Sequence, residues 1–294
     1  MPKISLYIPC YNVEAYIASC IEGVLKQTYP VDEILLIDDG CRDRTLDIAS
    51  RYPVRVIRHE VNKGLAAARN TAFHHARNEL VASLDADCVP DPHWLERLVP
   101  LFEDETVAIV GGRLVETVLD SVADRWRKAH MTQDWGELRV KNPSFMFGNN
   151  NLIRKSFLEQ VGGYNEQLRT NGEDADLSRR LMTAGCTAIY EPGAIVSHLR
   201  RDTVPSILDN YWRYWCFGSR VDFGHFQPKT FLRHQQHHFQ RQLVDVVKHD
   251  WQQRDYELLW LDILLPFYML YRDSQAVLKR NPCSALLPTL ETAP

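Results

Sequence analysis

Through residue 84 the chain alternates short apolar runs with segments of helical spacing, and this alternation limits the fold more than any other feature. Residues 3 to 9, ILLID at 34 to 38, VRVI at 54 to 57 and LVASL at 80 to 84 read as strands. Between them Ile17, Ile21, Val24 and Leu25 repeat at helical spacing, a short helix runs through Leu46 and Ile48, and LAAARNTAFHHA is an Ala-rich helix. Such alternation specifies an α/β fold with a doubly wound, mostly parallel sheet and helices on both faces. Ligands of these sheets sit beyond the carboxyl ends of the strands. The residues just after the four strands are Pro9 to Asn12, Asp38 to Gly40, His59 to Lys63 and Asp85 to Asp87, so their polar groups converge on one edge.

Asp85 and Asp87, separated only by Ala86, crowd two carboxylates into one small space. Like charges that close repel, and a divalent cation shared with a ligand relieves them. A lone Asp-x-Asp is otherwise a solvated strand end. Asp38, Asp39 and Gly40 form either an ordinary turn or an acceptor for a base imide or ribose hydroxyl. In NKGLAAARN, Asn62 and Gly64 suit a helix start, while Lys63 and Arg69 are placed to face the same edge. NGEDADLSRRLMTAG at 171 to 185 puts Glu173 and Asp174 in a first helical turn, where capping by itself also explains them. His198 falls at a later strand end, ordinarily the place of a satisfied core histidine.

Composition narrows the classes. A chain of 294 residues, 45% hydrophobic and 24% charged, has enough material for a sizeable core. Its formal net charge of −4 provides no global field for nucleic acid. Seven scattered cysteines without a Cys-x-x-Cys pair read as reduced thiols of a cytosolic chain. The N-terminus does not read as a secretory signal, and LLWLDILLPFYMLY at 258 to 271 is too short for a span and is interrupted by Asp262 and Pro266. Trp126 and Trp135 suit core packing better than sugar stacking. From 229 onward the chain reads as amphipathic helices. Histidines 234, 237, 238 and 249 fit a solvated helical face, because no carboxylate or cysteine completes a ligand spacing.

With IPCYN, LLIDDG, NKGLAAARN and SLDADC in this order, the chain closely resembles the family 2 glycosyltransferases from about residue 3 to about residue 200. The resemblance implies the nucleotide-sugar-binding GT-A fold over residues 1–203, with residues 204–294 a helical extension for packing, dimerisation or membrane-surface contact. It implies an inverting, metal-dependent transfer from a nucleotide sugar, UDP-sugar favoured, to a glycan or lipid-linked acceptor in polysaccharide or glycoconjugate synthesis, in the cytoplasm or at the inner membrane face. On that resemblance Asp39 contacts the base, Pro9, Tyr11 and Glu14 surround the nucleoside, and Lys63 and Arg69 lie nearby. Asp85, with Ala86, sits near the ribose. Asp87 holds Mn²⁺ or Mg²⁺ on the diphosphate, with His198 completing the coordination. Asp174 is the base and Glu173 orients the acceptor. Cys41 departs from the family, which commonly has Ser after Asp-Asp-Gly. A sugar nucleotidyltransferase would carry a Gly-rich phosphate loop where IPCYN stands, and a non-catalytic binding scaffold has no need of a base.

Overall fold

The four apolar runs form strands in the computed structural model, which describes residues 1–169, 171–218 and 228–278. The chain begins β1 (Ile4–Cys10), α1 (Ile17–Leu25), β2 (Glu33–Asp38), α2 (Thr45–Ala49), β3 (Arg55–Arg58), α3 (Leu65–His75), β4 (Leu80–Leu84) and β5 (Cys88–Pro90). There follow α4 (Trp94–Leu98), β6 (Val107–Glu116), α5 (Val122–His130), β7 (Val140–Lys141), β8 (Asn150–Arg154), α6 (Lys155–Gln160), α7 (Glu173–Thr183) and β9 (Thr187–His198). Helices α8 (Val204–Gly218), α9 (Pro228–Gln240), α10 (Val247–Gln253) and α11 (Leu259–Leu278) complete it, with a π-helical turn at Arg241–Val246 leading into α10.

The strands form one sheet in the order β3-β2-β1-β4-β8-β6-β9-β5, with β7 on β9. The β3-β2-β1-β4 half is parallel throughout, and β8 enters antiparallel between β4 and β6. Every residue of β1 and β4 is buried, as parallel strands covered on both faces require. Side chains alternate across the sheet: Leu6 and Ile8 pack with Ile17, Ile21 and Trp94 on one face, and Tyr7 with Phe73 and Leu177 on the other. Each such burial contributes about 1.5–3 kcal/mol, so these two faces hold the sheet together and surface ion pairs add little. From β1 the chain winds through β2 to β3, then returns to place β4 on the other side of β1. That reversal opens a crevice beyond the carboxyl ends of β1 and β4.

The chain divides into two compact units, residues 1–118 with 133–200, and residues 119–132 with 201–294. Sequence order places α5 inside the expected GT-A segment, yet it belongs with the C-terminal helices. There the Trp126 indole donates to Asp262 Oδ1 at 2.7 Å, Trp212 donates to Asp273 at 2.8 Å, and buried Arg127 pairs with buried Asp202. Trp126 is a core residue, in keeping with its expected use. One face of α11 buries Leu261, Leu265 and Met269, while Trp260, Ile263, Phe267 and Tyr271 are exposed. Among the described residues no helix is long and apolar enough to cross a membrane, and the six cysteines are free thiols. Residues 279–294 and the side chains of His234, His237 and His238 lie outside the described residues.

Candidate active site

The tight turn after β4 sets the first part of the site. Asp85 N–H donates to the Asn149 carbonyl at 3.3 Å and Cys88 N–H to the Asp85 carbonyl at 3.1 Å, which tucks Ala86 into the core. The turn is then stitched to the end of β9, where Leu199 N–H donates to the Asp87 carbonyl at 2.8 Å. Strand register completes the arrangement, because β9 places His198 opposite Cys88 of β5 and opposite Glu116 of β6. His198 Nε2 lies 3.3 Å from Asp87 Oδ2, and Glu116 holds Nδ1 at 2.9 Å. Burial alone would lower the His198 pKa, but Asp87 and Glu116 outweigh it and raise it to about 9. Against its own burial, Asp87 is held well below the usual carboxylate range by His198 and Arg200. This donor set fits a divalent cation: Glu116 fixes the imidazole through Nδ1, leaving Nε2 and an ionised carboxylate oxygen side by side. Cys88 Sγ completes a group of three potential ligand atoms within 4.8 Å of one another.

Arg69 is the hub of the second part. It is 1% exposed and donates to Ser83 Oγ at 2.8 Å, to Asp85 Oδ1 at 3.3 Å and to the Gly148 carbonyl, and its Nε lies 3.6 Å from Glu173 Oε1. Its guanidinium also lies 5.7 Å from the centre of the Tyr164 ring. Glycine at 148 leaves room for the guanidinium, since a Cβ there would stand 2.6 Å from the Arg69 Nη2 and displace it. The small alanines of α3 let that helix bury Arg69 against the end of β4.

Through Arg69 the turn at Asp85 is joined to the first turn of α7. Asp174 is half-buried; its Oδ1 accepts from Ala175 N–H at 2.7 Å and its Oδ2 from Gly148 N–H at 3.1 Å. Glu173 is 2% exposed, and its Oε2 has no hydrogen-bond partner. Burial and the adjacent Asp174 push Glu173 up to about 8, and Arg69 does not offset this because Asp85 shares its charge. Burial raises Asp174 too, against Arg69 and those two backbone donors. The two neighbours therefore differ: near neutral pH Glu173 keeps its proton, while Asp174, at a helix N-terminus, meets two backbone donors that favour its charged form.

This difference has a measurable consequence for stability. The folded protein retains a proton on Glu173 that the unfolded chain releases near 4.5, so stability falls as pH rises from there to about 8. Glu173→Gln escapes that loss. Its thermal midpoint relative to wild type, followed by circular dichroism, is expected to climb between about pH 5 and about pH 8. A constant difference across that range refutes the assignment of the proton.

The remaining expected residues gather at the ends of β1 and β2. Asp39 is buried; its Oδ1 accepts from Lys63 N–H at 2.8 Å and meets His59 Nδ1 at 2.7 Å, and its Oδ2 accepts from Gly64 N–H at 2.9 Å. Three of a carboxylate's roughly four acceptor directions are thus used, leaving one on Oδ2. Gly64 has φ +96°, and a Cβ there would meet the Arg169 carbonyl at 2.8 Å, so this donor position needs glycine. Pro9 is buried at the end of β1, and Tyr11 is partly exposed. Glu14 accepts from the Arg44 backbone N–H at 2.9 Å and its Nε at 3.2 Å, and the Lys63 side chain is exposed. Cys41, at the family's usual Ser position, accepts from Asn12 N–H through Sγ at 3.3 Å. Burial pushes its thiol up to about 12.

The model of the family described as glycosyl transferase family 2 matches residues 5–164, a stretch that includes both strand-end acidic clusters. The chain belongs to glycosyl transferase family 2. It is 35% identical over 177 residues to the pre-mycofactocin glycosyltransferase of Mycobacterium tuberculosis, a match covering 57% of this chain and 37% of that protein. It is 29% identical over 210 residues to glycosyltransferase AglE of Haloferax volcanii, covering 68% of each. The chain thus spans 37% of the length of the mycobacterial relative. Among solved structures, GalNAc-T7 with UDP, GalNAc and Mn²⁺ superposes with a TM-score of 0.56 at 22% identity, covering 73% of this chain and 47% of that one. The mannosyltransferase PcManGT from Pyrobaculum calidifontis, in complex with GDP-Man and Mn²⁺, gives 0.57 at 18% identity, covering 97% and 78%. At these identities the likeness is one of fold, the GT-A fold.

In this family 2 chain, two site residues, Glu116 and Ser83, were not picked out from the sequence, and His59 was named only as the first residue of a strand-end range. Glu116 ends β6, and only the β6–β9 register puts it against His198. His59 bridges Asp39 and Thr71 from the end of β3, and Ser83 anchors Arg69 from within β4. A polar residue in an otherwise apolar strand, as Ser83 is in LVASL, was the one local signal available.

Proposed function

We propose that this protein transfers a sugar from a nucleotide-sugar donor, UDP-sugar favoured, to an acceptor hydroxyl with inversion at the anomeric carbon. The observation that carries this reading is the placement of one carboxylate: Asp174 is half-buried, accepts from two backbone N–H groups, and is linked through Gly148 and Arg69 to the Asp85–Asp87 turn. Asp174 takes the proton of the acceptor hydroxyl as that oxygen attacks, the task of a general base. A single displacement from the face opposite the nucleotide inverts the centre. Glu173, protonated, holds no second negative charge beside the developing nucleophile and orients the acceptor.

Asp39 receives a donor N–H from the base through its remaining acceptor direction, with Pro9, Tyr11, Glu14, Lys63 and Arg69 around the nucleotide. Asp85 and Ala86 lie by the ribose. Asp87 and His198 would hold Mn²⁺ or Mg²⁺, which when bound offsets charge on the departing diphosphate. An imidazole nitrogen in the donor set favours Mn²⁺ over Mg²⁺. GalNAc-T7 and PcManGT, each solved with a nucleotide or nucleotide sugar and Mn²⁺ on this fold, support the donor class. The acceptor is a glycan or a lipid-linked glycan of an envelope polysaccharide or glycoconjugate, and the apolar residues exposed on α11 suit contact with a partner or a cytoplasmic membrane surface.

Calorimetric titration with UDP, GDP, dTDP and CDP, each with and without Mn²⁺, tests the donor site. One nucleotide is expected to bind tightly in the presence of metal only, and Asp87→Asn is expected to abolish the metal-dependent part. Because His198 must shed its proton to ligate, Mn²⁺ affinity is expected to rise with pH up to about 9. Folded protein that binds none of the four nucleotides contradicts the proposal.

A further inference from the structure

The C-terminal unit contains a second group of ligand-type side chains, unrelated to the donor site. Helix α5 ends at His130, α10 carries His249 and Asp250, and the first turn of α11 carries Asp262. His130 Nε2 lies 2.9 Å from Asp250 Oδ2 and 4.0 Å from Asp262 Oδ1, and His249 Nδ1 lies 3.0 Å from Asp250 Oδ1. One ligand atom from each of His130, His249 and Asp250 falls within 4.8 Å of the others. Asp250 and Asp262 are both 0% exposed.

Two wholly buried carboxylates in one cluster are costly unless a cation, or a proton held between them, accompanies them. Among the described residues, the only ion-pair partners of either are histidines, with no lysine or arginine among them. Asp262 is the clearer sign. Its Oδ1 is fixed by the Trp126 indole at 2.7 Å, while its Oδ2 is buried with no hydrogen-bond partner. A carboxylate oriented through one oxygen by a neighbouring donor, with the other reached by none, is how a metal ligand is held. The helical register also changes just upstream, in the π-helical turn at Arg241–Val246, a distortion frequent at functional sites.

We propose that His130, His249, Asp250 and Asp262 form a structural Zn²⁺ site that ties α5 to α10 and α11. Two neutral imidazoles and two carboxylates neutralise a dication and provide the four ligands of a closed site. Nitrogen and oxygen ligands about 2.0–2.2 Å from a tetrahedral zinc stand roughly 3.3–3.5 Å apart, a spacing that His130, His249 and Asp250 reach by side-chain adjustment, with Asp262 turning in from beside that group. Asp262 contributes the oxygen that no donor reaches. The His249 side chain, 51% exposed, gives the ion its way in. The segment 119–132, which interrupts the other unit in sequence, is thereby fastened to the C-terminal helices.

The test uses the full chain carrying Asp87→Asn, which disables the donor-site metal, after stripping with a chelator. Zn²⁺ titrated against a chromophoric chelator is expected to occupy one site per chain, Co²⁺ to give the intense visible absorption of tetrahedral coordination, and Zn²⁺ to raise the thermal midpoint by several degrees. His249→Ala on the same background replaces a half-exposed residue. It is expected to fold, to weaken zinc binding at least ~10-fold and to abolish the tetrahedral cobalt spectrum. Asp262→Asn, which keeps the Trp126 contact, is expected to weaken binding as well. Folded Asp87→Asn protein that takes up no zinc overturns the site, and so does uptake that His249→Ala and Asp262→Asn leave unchanged, since the zinc would then be adventitious.

Discussion

Asp174→Asn is expected to lower the rate of sugar transfer by about 10²- to 10⁴-fold while leaving nucleotide affinity within about twofold of wild type. The amide keeps the size of the carboxylate and its carbonyl can still accept from one of the two N–H groups, Gly148 or Ala175, so the first turn of α7 is disturbed by the loss of one hydrogen bond only. What it lacks is the basic oxygen. Glu173 substitutes only poorly, because it is buried and pushed up to about 8. With Asp174 neutral, moreover, the charge that raises Glu173 is partly removed, so its proton leaves more readily. Slow residual transfer in the Asn variant is therefore expected to increase with pH, and a pH–rate profile of kcat beside a calorimetric nucleotide titration checks both statements. Equal losses in nucleotide affinity and transfer would refute the assignment of Asp174 as base.

Arg69→Met carries the largest expected cost in stability, about 3–5 kcal/mol, read as a lower midpoint in urea at unchanged slope. Methionine fills much of the volume, so cavity formation is not the main term. The loss comes from what is left behind: Asp85 and Glu173 lose their cation, and Ser83 and the Gly148 carbonyl lose a donor in a site with little water. Lysine does not rescue it, since one ammonium cannot span partners spread around a planar guanidinium. Gly148→Ala gives an independent check, because its methyl would press on the same guanidinium from 2.6 Å. If Arg69 positions the site as described, Gly148→Ala reduces transfer without removing any ionisable group. A stable, fully active Arg69→Met protein would show that the hub is dispensable.

Much of this was legible in the sequence, and for a definable reason. Apolar runs of strand length followed by helical spacing can bury their surface in few ways, so LVASL, ILLID and the Ala-rich helix were enough to indicate the α/β sheet and the edge on which Asp39, Asp85 and Asp87 gather. Those carboxylates are local to their strand ends, and local pattern locates them. The same holds for Glu173 and Asp174 in their first helical turn.

Tertiary structure alone decided what those residues face. Arg69 is in contact with Gly148 across 79 positions of chain, and His198 with Glu116 across 82, through an antiparallel strand inserted into a parallel sheet and a register that no periodicity encodes. The difference between Glu173 and Asp174 is likewise invisible in an acidic dipeptide; it arises because one carboxyl is buried with an oxygen that no donor reaches and the other meets two backbone N–H groups. His249 read as part of a solvated face because His130, whose ring centre lies 5.6 Å away, comes from another helix that no spacing links to it. Sequence determines which groups are present and which face of an element they occupy. Electrostatics and hydrogen bonding depend on inverse distance and burial, and the packed chain sets both.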